Sequence, residues 1–155
     1  MNEEINKNNK TVDQLIKIHG VDNVLVDEKS RILYAQDIHS KTIPAFAIIR
    51  PKNKDELTES VKIANKLGHA IIPRGGGMSY SKGYVPLKEG SIIVDFSRMN
   101  NVIEINEEDM YVRVESGCTW ETLYRELEST NLRTPFWGTL SGTVSYTHLR
   151  AHETS

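Results

Sequence analysis

The feature that most constrains this chain is a strand that runs directly into a glycine loop: Ala70, Ile71 and Ile72 lead through Pro73 into RGGGMSYSKG. Upstream, Ala45 to Ile49 is a compact apolar run stopped by Pro51, the pattern of a short buried strand. A helix is predicted between the two. Asn53 with Glu56 three residues later makes a capping box, Leu57, Val61, Ala64 and Leu67 recur at helical spacing, and Gly68 supplies the stop. The organising unit is therefore strand, helix, strand and glycine loop, ending in the consecutive glycines Gly75, Gly76 and Gly77. Such residues expose backbone N–H groups with no side chain to hold a ligand off, and they permit positive φ. The nest suits a pyrophosphate, to which Ser79 and Ser81 can add hydroxyls and Arg74 a charge. The competing reading is a plain surface turn, but a turn rarely needs three residues that each cost backbone entropy.

Two familiar nucleotide motifs are absent from this loop. A Walker loop ends in Gly-Lys-Ser/Thr, whereas here Lys82 precedes Gly83 and Tyr84 follows it. The dinucleotide fingerprint G-x-G-x-x-G lacks its third glycine at the required spacing.

Downstream, Ser91 to Val94 reads as a strand ending at Asp95, where a packing or turn-capping role is expected in place of a catalytic one. Val102 to Ile105 and Tyr111 to Glu115 alternate with a period of two around the acidic turn Asn106 to Asp109, predicting a hairpin with a solvated tip. Glu107, Glu108 and Asp109 belong to that tip and are not read as a catalytic carboxylate pair. Thr119 caps a predicted helix with Trp120, Leu123, Tyr124 and Leu127 on one stripe, closed near Asn131. RTPFWGTLSGT then reads as a second loop, whose Phe136 and Trp137 either flank a ligand or pack beneath it. At the other end, residues 1–10 form a polar run expected to fray, and Thr11 is expected to cap a short helix carrying Val12, Leu15 and Ile18, stopped by Gly20. Ile32 to Tyr34 lie in a segment whose type the pattern leaves open.

With 155 residues and 38% hydrophobic content, the chain has the size and apolar share of one ordinary domain. Lys+Arg 19 against Asp+Glu 21 leaves a net charge of -2, which gives no field favouring nucleic acid or an anionic membrane. The single cysteine, Cys118, allows no internal disulfide, and no Cys/His spacing suggests zinc. Cys118 precedes a helix start, where the dipole can lower a thiol pKa, but burial as a small apolar residue is the favoured reading. His19, His39 and His69 fall at element ends and are expected in surface or capping roles. The apolar runs are too short for a membrane span or signal core, so a cytoplasmic protein is expected.

IIPRGGGMSYSKG, IIVDFSRMNNVIEIN, VRVESGCTWETLYREL and LRTPFWGTLSG together resemble, in order and spacing, the FAD-linked oxidases and dehydrogenases related to vanillyl-alcohol oxidase and para-cresol methylhydroxylase, including glycolate and D-lactate dehydrogenases. The similarity covers most of Ala45 to Gly142. It implies an α+β fold, the N-terminal part of a PCMH-type FAD-binding domain made of two small α/β subdomains and truncated here. It further implies FAD as cofactor, its pyrophosphate cradled by Pro73, Arg74, Gly75, Gly76, Gly77, Met78, Ser79, Tyr80 and Gly83, and by the later loop at Ser141, Gly142 and Thr143. Members with a flavin tethered through this loop have histidine where this chain has Met78. A thioether cannot form that bond, so FAD is expected to be non-covalent at this position.

The expected organisation is a helical extension over residues 1–42, a partial FAD-binding domain over 43–143, and a non-native tail over 144–155. Val144 to Thr154 fits no expected continuation and is what a common transposase sequencing adapter encodes when read in frame; Thr143 is ambiguous. The rival reading of the tail is a genuine amphipathic terminus with His148 and His152 at i, i+4, able to bind a metal.

The implied function is a flavin-dependent oxidoreductase that oxidises a 2-hydroxy acid of the glycolate or D-lactate kind, or a related alcohol, by hydride transfer to FAD. The catalytic groups are expected beyond this chain, which alone is expected to be inactive. Two alternatives are a non-catalytic nucleotide-binding or interaction module and a flavoprotein of the cell-wall precursor (UDP-N-acetylenolpyruvylglucosamine) reductase kind. The expected partners are FAD and a small-molecule substrate, with no nucleic acid and no integral membrane segment.

Overall fold

A computed structural model describes residues 2–79 and 81–135, with side chains from Asn8 onward. In chain order the elements are α1 (Asn2–His19), β1 (Val24–Leu25), α2 (Glu28–Tyr34), β2 (Ala47–Ile49), α3 (Lys54–Leu67), β3 (Ile71–Arg74), β4 (Ile92–Asp95), β5 (Val102–Asn106), β6 (Tyr111–Val114) and α4 (Trp120–Glu128). The fold is α+β and has two parts. A four-stranded sheet has the order β1-β2-β4-β3, and a two-stranded hairpin joins β5 to β6.

The first sheet is parallel across β2, β4 and β3, with β1 antiparallel at its edge. The central strands β2 and β4 are buried at every position, as strands covered on both faces must be. Ile49, Ile92 and Val94 pack with Leu15 of α1, Ala64 of α3, Phe96 and Met99. Ile48 and Ile93, one residue out of phase, pack on the opposite face with Ala45, Leu25, Tyr34 and Ile72. The hairpin closes its own core, with Trp120, Leu123 and Leu127 of α4 against Val102, Ile105, Val112 and Val114.

Most local signals act as predicted. The Asn53 side chain accepts from the Glu56 amide, and Gly68 adopts the left-handed conformation at φ 75°. Thr119 accepts from the Thr122 amide at the start of α4, and Asn131 takes φ 59° beyond its end. Asp95 caps the turn that follows β4 by accepting from the Ser97 amide. Glu107, Glu108 and Asp109 are exposed at the hairpin tip.

Three expectations are corrected and one open segment is resolved. Residues 2–10 continue α1, because nothing in that run breaks a helix and Leu15 anchors its last turns in the core. Thr11 therefore caps nothing; it is buried inside α1, with its hydroxyl 3.2 Å from His69 Nε2. The undetermined segment is α2, whose N-cap Asp27 accepts from the Ser30 amide. On α3 it is Ser60, not Val61, that joins Ala64 as a buried residue, and Val61 is exposed.

The reason for Ser60 is His19, which is also not the surface residue expected. Its ring is buried, with Nε2 2.6 Å from Ser60 Oγ and Nδ1 3.2 Å from a Glu56 carboxylate oxygen. The carboxylate can only accept, so Nδ1 carries the proton, and Ser60 donates to Nε2 of a neutral ring. The order serine, histidine, acid matches a hydrolytic triad, but Ser60 is wholly buried, so no substrate reaches its hydroxyl. The relay instead fastens α1 to α3. Burial outweighs the Glu56 charge and lowers the His19 pKa from 6.5. A depressed pKa means that the unfolded chain binds the proton more readily, so this contribution is present above pH 6.5 and fades as pH falls through the folded pKa. Urea unfolding is thus expected to show stability falling from pH 7 towards pH 5, with the slope flattened in His19→Gln. An unaltered slope in that variant would assign the pH dependence elsewhere.

Candidate functional site

A cleft of about 410 Å³ opens where the C-terminal end of the parallel sheet meets the hairpin unit. From the first unit it takes Leu33 and Tyr34 at the end of α2, Arg74, Gly75 and Gly76 as the chain leaves β3, and Asp95 at the end of β4. The opposite wall consists of Ser97, Asn100, Gly117 and Thr119. A crevice beyond the carboxyl ends of parallel strands is where open α/β sheets place ligands.

The second wall is laced together by main-chain amides. The Gly117 amide donates to Met99 O at 2.9 Å, and the Thr119 amide donates to Asn100 Oδ1 at 2.9 Å. The approach at Gly117 leaves no room for a side chain, since a Cβ there would lie 1.9 Å from Phe96 O and 2.9 Å from Met99 O. Glycine at this position is a condition of the two segments touching.

On the first wall, Arg74 and Asp95 are register partners across β3 and β4. They form no ion pair with each other. Asp95 accepts from the Tyr34 hydroxyl at 2.5 Å and from the Ser97 amide at 2.8 Å. Burial, together with that bond to Asp95, pushes the Tyr34 phenol up to about 12, so the phenol remains a donor at physiological pH. The Arg74 guanidinium lies between two rings, 4.9 Å from the Tyr34 centroid and 4.5 Å from that of Tyr84. Both are cation–π distances. Among the described residues, no carboxylate forms an ion pair with Arg74, which leaves a positive charge at the cleft wall beside the glycines.

The other predicted contact residues are placed as follows. Pro73 belongs to β3, in register with Val94. Gly77 has φ 71°, and its neighbour Met78 is half-buried in the loop. Ser79 Oγ lies 3.0 Å from Ser81 Oγ and accepts from the Ser81 amide at 3.2 Å, folding the loop back on itself. Gly83 is beside these hydroxyls, with 3.7 Å to Ser79 Oγ for a Cβ built there. Tyr80, Ser141, Gly142 and Thr143 lie outside the described residues, as do Phe136, Trp137 and the whole of 144–155, including His148 and His152.

Sequence reasoning missed Tyr34, Tyr84, Asn100 and Gly117. The one local sign was at Gly117, a glycine two residues before a helix cap. Elsewhere, His69 is held by a bond from Nδ1 to Gly90 O at 2.8 Å and by stacking on Phe46, while His39 is exposed. Cys118 is buried as favoured; burial, reinforced by Glu115 and Glu126, pushes its thiol up to about 11, the opposite of dipole activation.

The donor set fits an anionic, nucleotide-like ligand. Glycines, a cation and hydroxyl and amide side chains face one crevice of the size that takes small molecules. Comparison with known proteins agrees. A family model described as FAD binding domain matches residues 45–146. Glycolate oxidase subunit GlcD of Bacillus subtilis is 31% identical over 125 residues, covering 79% of this chain and 26% of that protein. The mitochondrial D-lactate dehydrogenase [cytochrome] of Kluyveromyces lactis is 32% identical over 87 residues, 55% of this chain and 15% of that protein. Among solved structures, p-cresol methylhydroxylase with substrate bound superposes with a TM-score of 0.78 at 25% identity, covering 90% of this chain and 28% of its own. The chain thus spans about a quarter or less of these relatives' lengths. Among the described residues, no helix is long and apolar enough to cross a membrane.

Proposed function

The chain belongs to the FAD binding domain family, and on that premise we propose that it is the flavin-nucleotide-holding part of an oxidoreductase that oxidises 2-hydroxy acids. The observation that carries this reading is the delivery of Gly75 and Gly76 by a parallel strand into a cleft whose wall also bears the Arg74 charge. Main-chain amides from Gly75 to Met78, with the Ser79 hydroxyl, would receive the diphosphate, and Ser97, Asn100 and Thr119, which line the same cleft, would supply further polar contacts to the nucleotide. FAD, when bound, supplies the hydride acceptor. This chain's own part is to bind and orient it. The 2-hydroxy-acid class draws support from the names of similar proteins, a glycolate oxidase, a D-lactate dehydrogenase and a D-2-hydroxyglutarate dehydrogenase. At the position where a histidine tether would be needed stands Met78, so the flavin is held without a covalent bond there.

The intact gene product is expected to purify yellow and to release all its flavin into the supernatant on acid precipitation. Bleaching of the flavin should follow addition of glycolate or D-lactate but not of 4-alkylphenols. A colourless protein that quenches no FAD fluorescence would sink the reading, and reduction by phenols alone would replace the substrate class.

A further inference from the structure

We propose that Arg74 is a positioning residue that sets the shape of the glycine loop from beneath, and that the Tyr34 and Tyr84 rings and the Tyr84 hydroxyl are the clamp that fixes it. The proposal rests on the flavin reading of the cleft and assigns Arg74 a role other than simple pairing with phosphate.

Three observations carry it. First, the guanidinium is stacked between two rings, and Arg74 Nη1 donates to Tyr34 O at 3.4 Å. A cation–π contact contributes roughly 0.5–1 kcal/mol where exposed and more where desolvated. Two of them hold a long side chain that would otherwise sample many rotamers. Second, the held guanidinium fills the space beside Gly77. A Cβ there would lie 2.6 Å from Nη2, 3.0 Å from Cζ and 3.2 Å from Nε. The end of a free arginine would swing aside, but one gripped by two rings cannot do so without losing both contacts. Third, the Tyr84 hydroxyl donates to the Gly77 carbonyl, so the ring that grips Arg74 also ties down the loop. Tyr84 is buried, and its phenol is pushed up by that burial, which keeps it a donor.

The loop's amides are therefore held in place before any ligand arrives, and preorganisation of this kind lowers the cost of binding. On this account the arginine and the glycine at 77 are one device. The bulky planar cation requires a residue without a side chain above it, and the positive φ of that residue turns the chain over the cation.

The test uses the intact gene product with Arg74→Met, Arg74→Lys and Tyr84→Phe. FAD affinity is read by fluorescence quenching over a range of NaCl concentrations, and amide hydrogen exchange of residues 75–77 is read without FAD. Tyr84→Phe keeps the ring and removes only the tether, so it is expected to weaken FAD by about tenfold, the worth of one hydrogen bond. Arg74→Met is expected to weaken it at least as much, Arg74→Lys is expected not to rescue, all three are expected to speed loop exchange, and Arg74→Lys and Tyr84→Phe, which keep the charge, are expected to leave the salt dependence as in the wild type. If Arg74→Met flattens the salt dependence by about one charge and Arg74→Lys restores affinity, Arg74 pairs with phosphate directly and the proposal is overturned. Unchanged loop exchange in Tyr84→Phe overturns it equally. A wild-type protein that takes up no FAD ends the flavin reading, and loop exchange in the FAD-free variants then still decides whether the clamp exists.

Discussion

Gly117→Ala is expected to leave the gene product without a cooperative unfolding transition, or to drive it into the insoluble fraction. The cause is local and has no easy escape. The new methyl carbon would stand 1.9 Å from Phe96 O and 2.6 Å from Phe96 C, and these are backbone atoms that no side-chain rotation can move. Relief requires separating the segment after β6 from the turn after β4, which breaks the bonds of Gly117 N to Met99 O and of Thr119 N to Asn100 Oδ1. Overpacking of side chains already costs about 1–3 kcal/mol. A backbone clash that also removes hydrogen bonds exceeds that range and takes much of the roughly 5–15 kcal/mol by which a domain is stable. Gly83→Ala is the matched control, because its Cβ meets only ordinary contacts at 3.7 and 3.8 Å, and its stability is expected to stay within about 0.5 kcal/mol of wild type. Urea titration of both variants checks the pair, and equal midpoints for the two would overturn a close backbone approach at Gly117.

The contrast between these glycines shows what could and could not be read from sequence. α3, the hairpin and α4 were legible because their determinants lie within one element: Asn53 and Gly68 at the ends of one helix, alternation along β5 and β6, and Thr119 before an apolar stripe. The glycine loop was legible for the same reason, being three adjacent residues at a strand end. What stayed hidden depends on partners far along the chain. Ser60 is buried because His19, 41 residues earlier, needs its hydroxyl, and Tyr34 belongs to the cleft because Asp95, 61 residues later, accepts a hydrogen bond from its hydroxyl. α2 is a different case. Its cap, Asp27 with Ser30 three residues on, was present in the sequence, but the helix is too short for helical periodicity to show. The extent of α1 reflects packing that overrides a polar composition, since Leu15 ties its end into the sheet. The far wall of the cleft could not be inferred from any window, because it exists only where two turns touch at Gly117.

The second large effect is expected at Gly76, and it should fall on the ligand in place of the fold. Positive φ occurs at the adjacent Gly77 and not at Gly76, so the φ at 76 does not itself demand glycine. Gly76 nevertheless lines the cleft, in the row where main-chain amides are proposed to meet the diphosphate. Gly76→Leu is therefore expected to leave the urea midpoint of the FAD-free protein near that of wild type while weakening FAD by about 100-fold, or ~2.7 kcal/mol. Gly77→Ala should show the reverse order of effects. Its φ of 71° and the clash with the clamped Arg74 guanidinium strain the free protein first, and affinity falls as a consequence of the displaced loop. Titration of FAD fluorescence beside urea unfolding separates the two requirements, one for room above the backbone and one for its turn. If Gly76→Leu bound FAD as tightly as wild type, the diphosphate would have to lie away from this loop, because a ligand close enough to bond these amides has no space for a leucine among them.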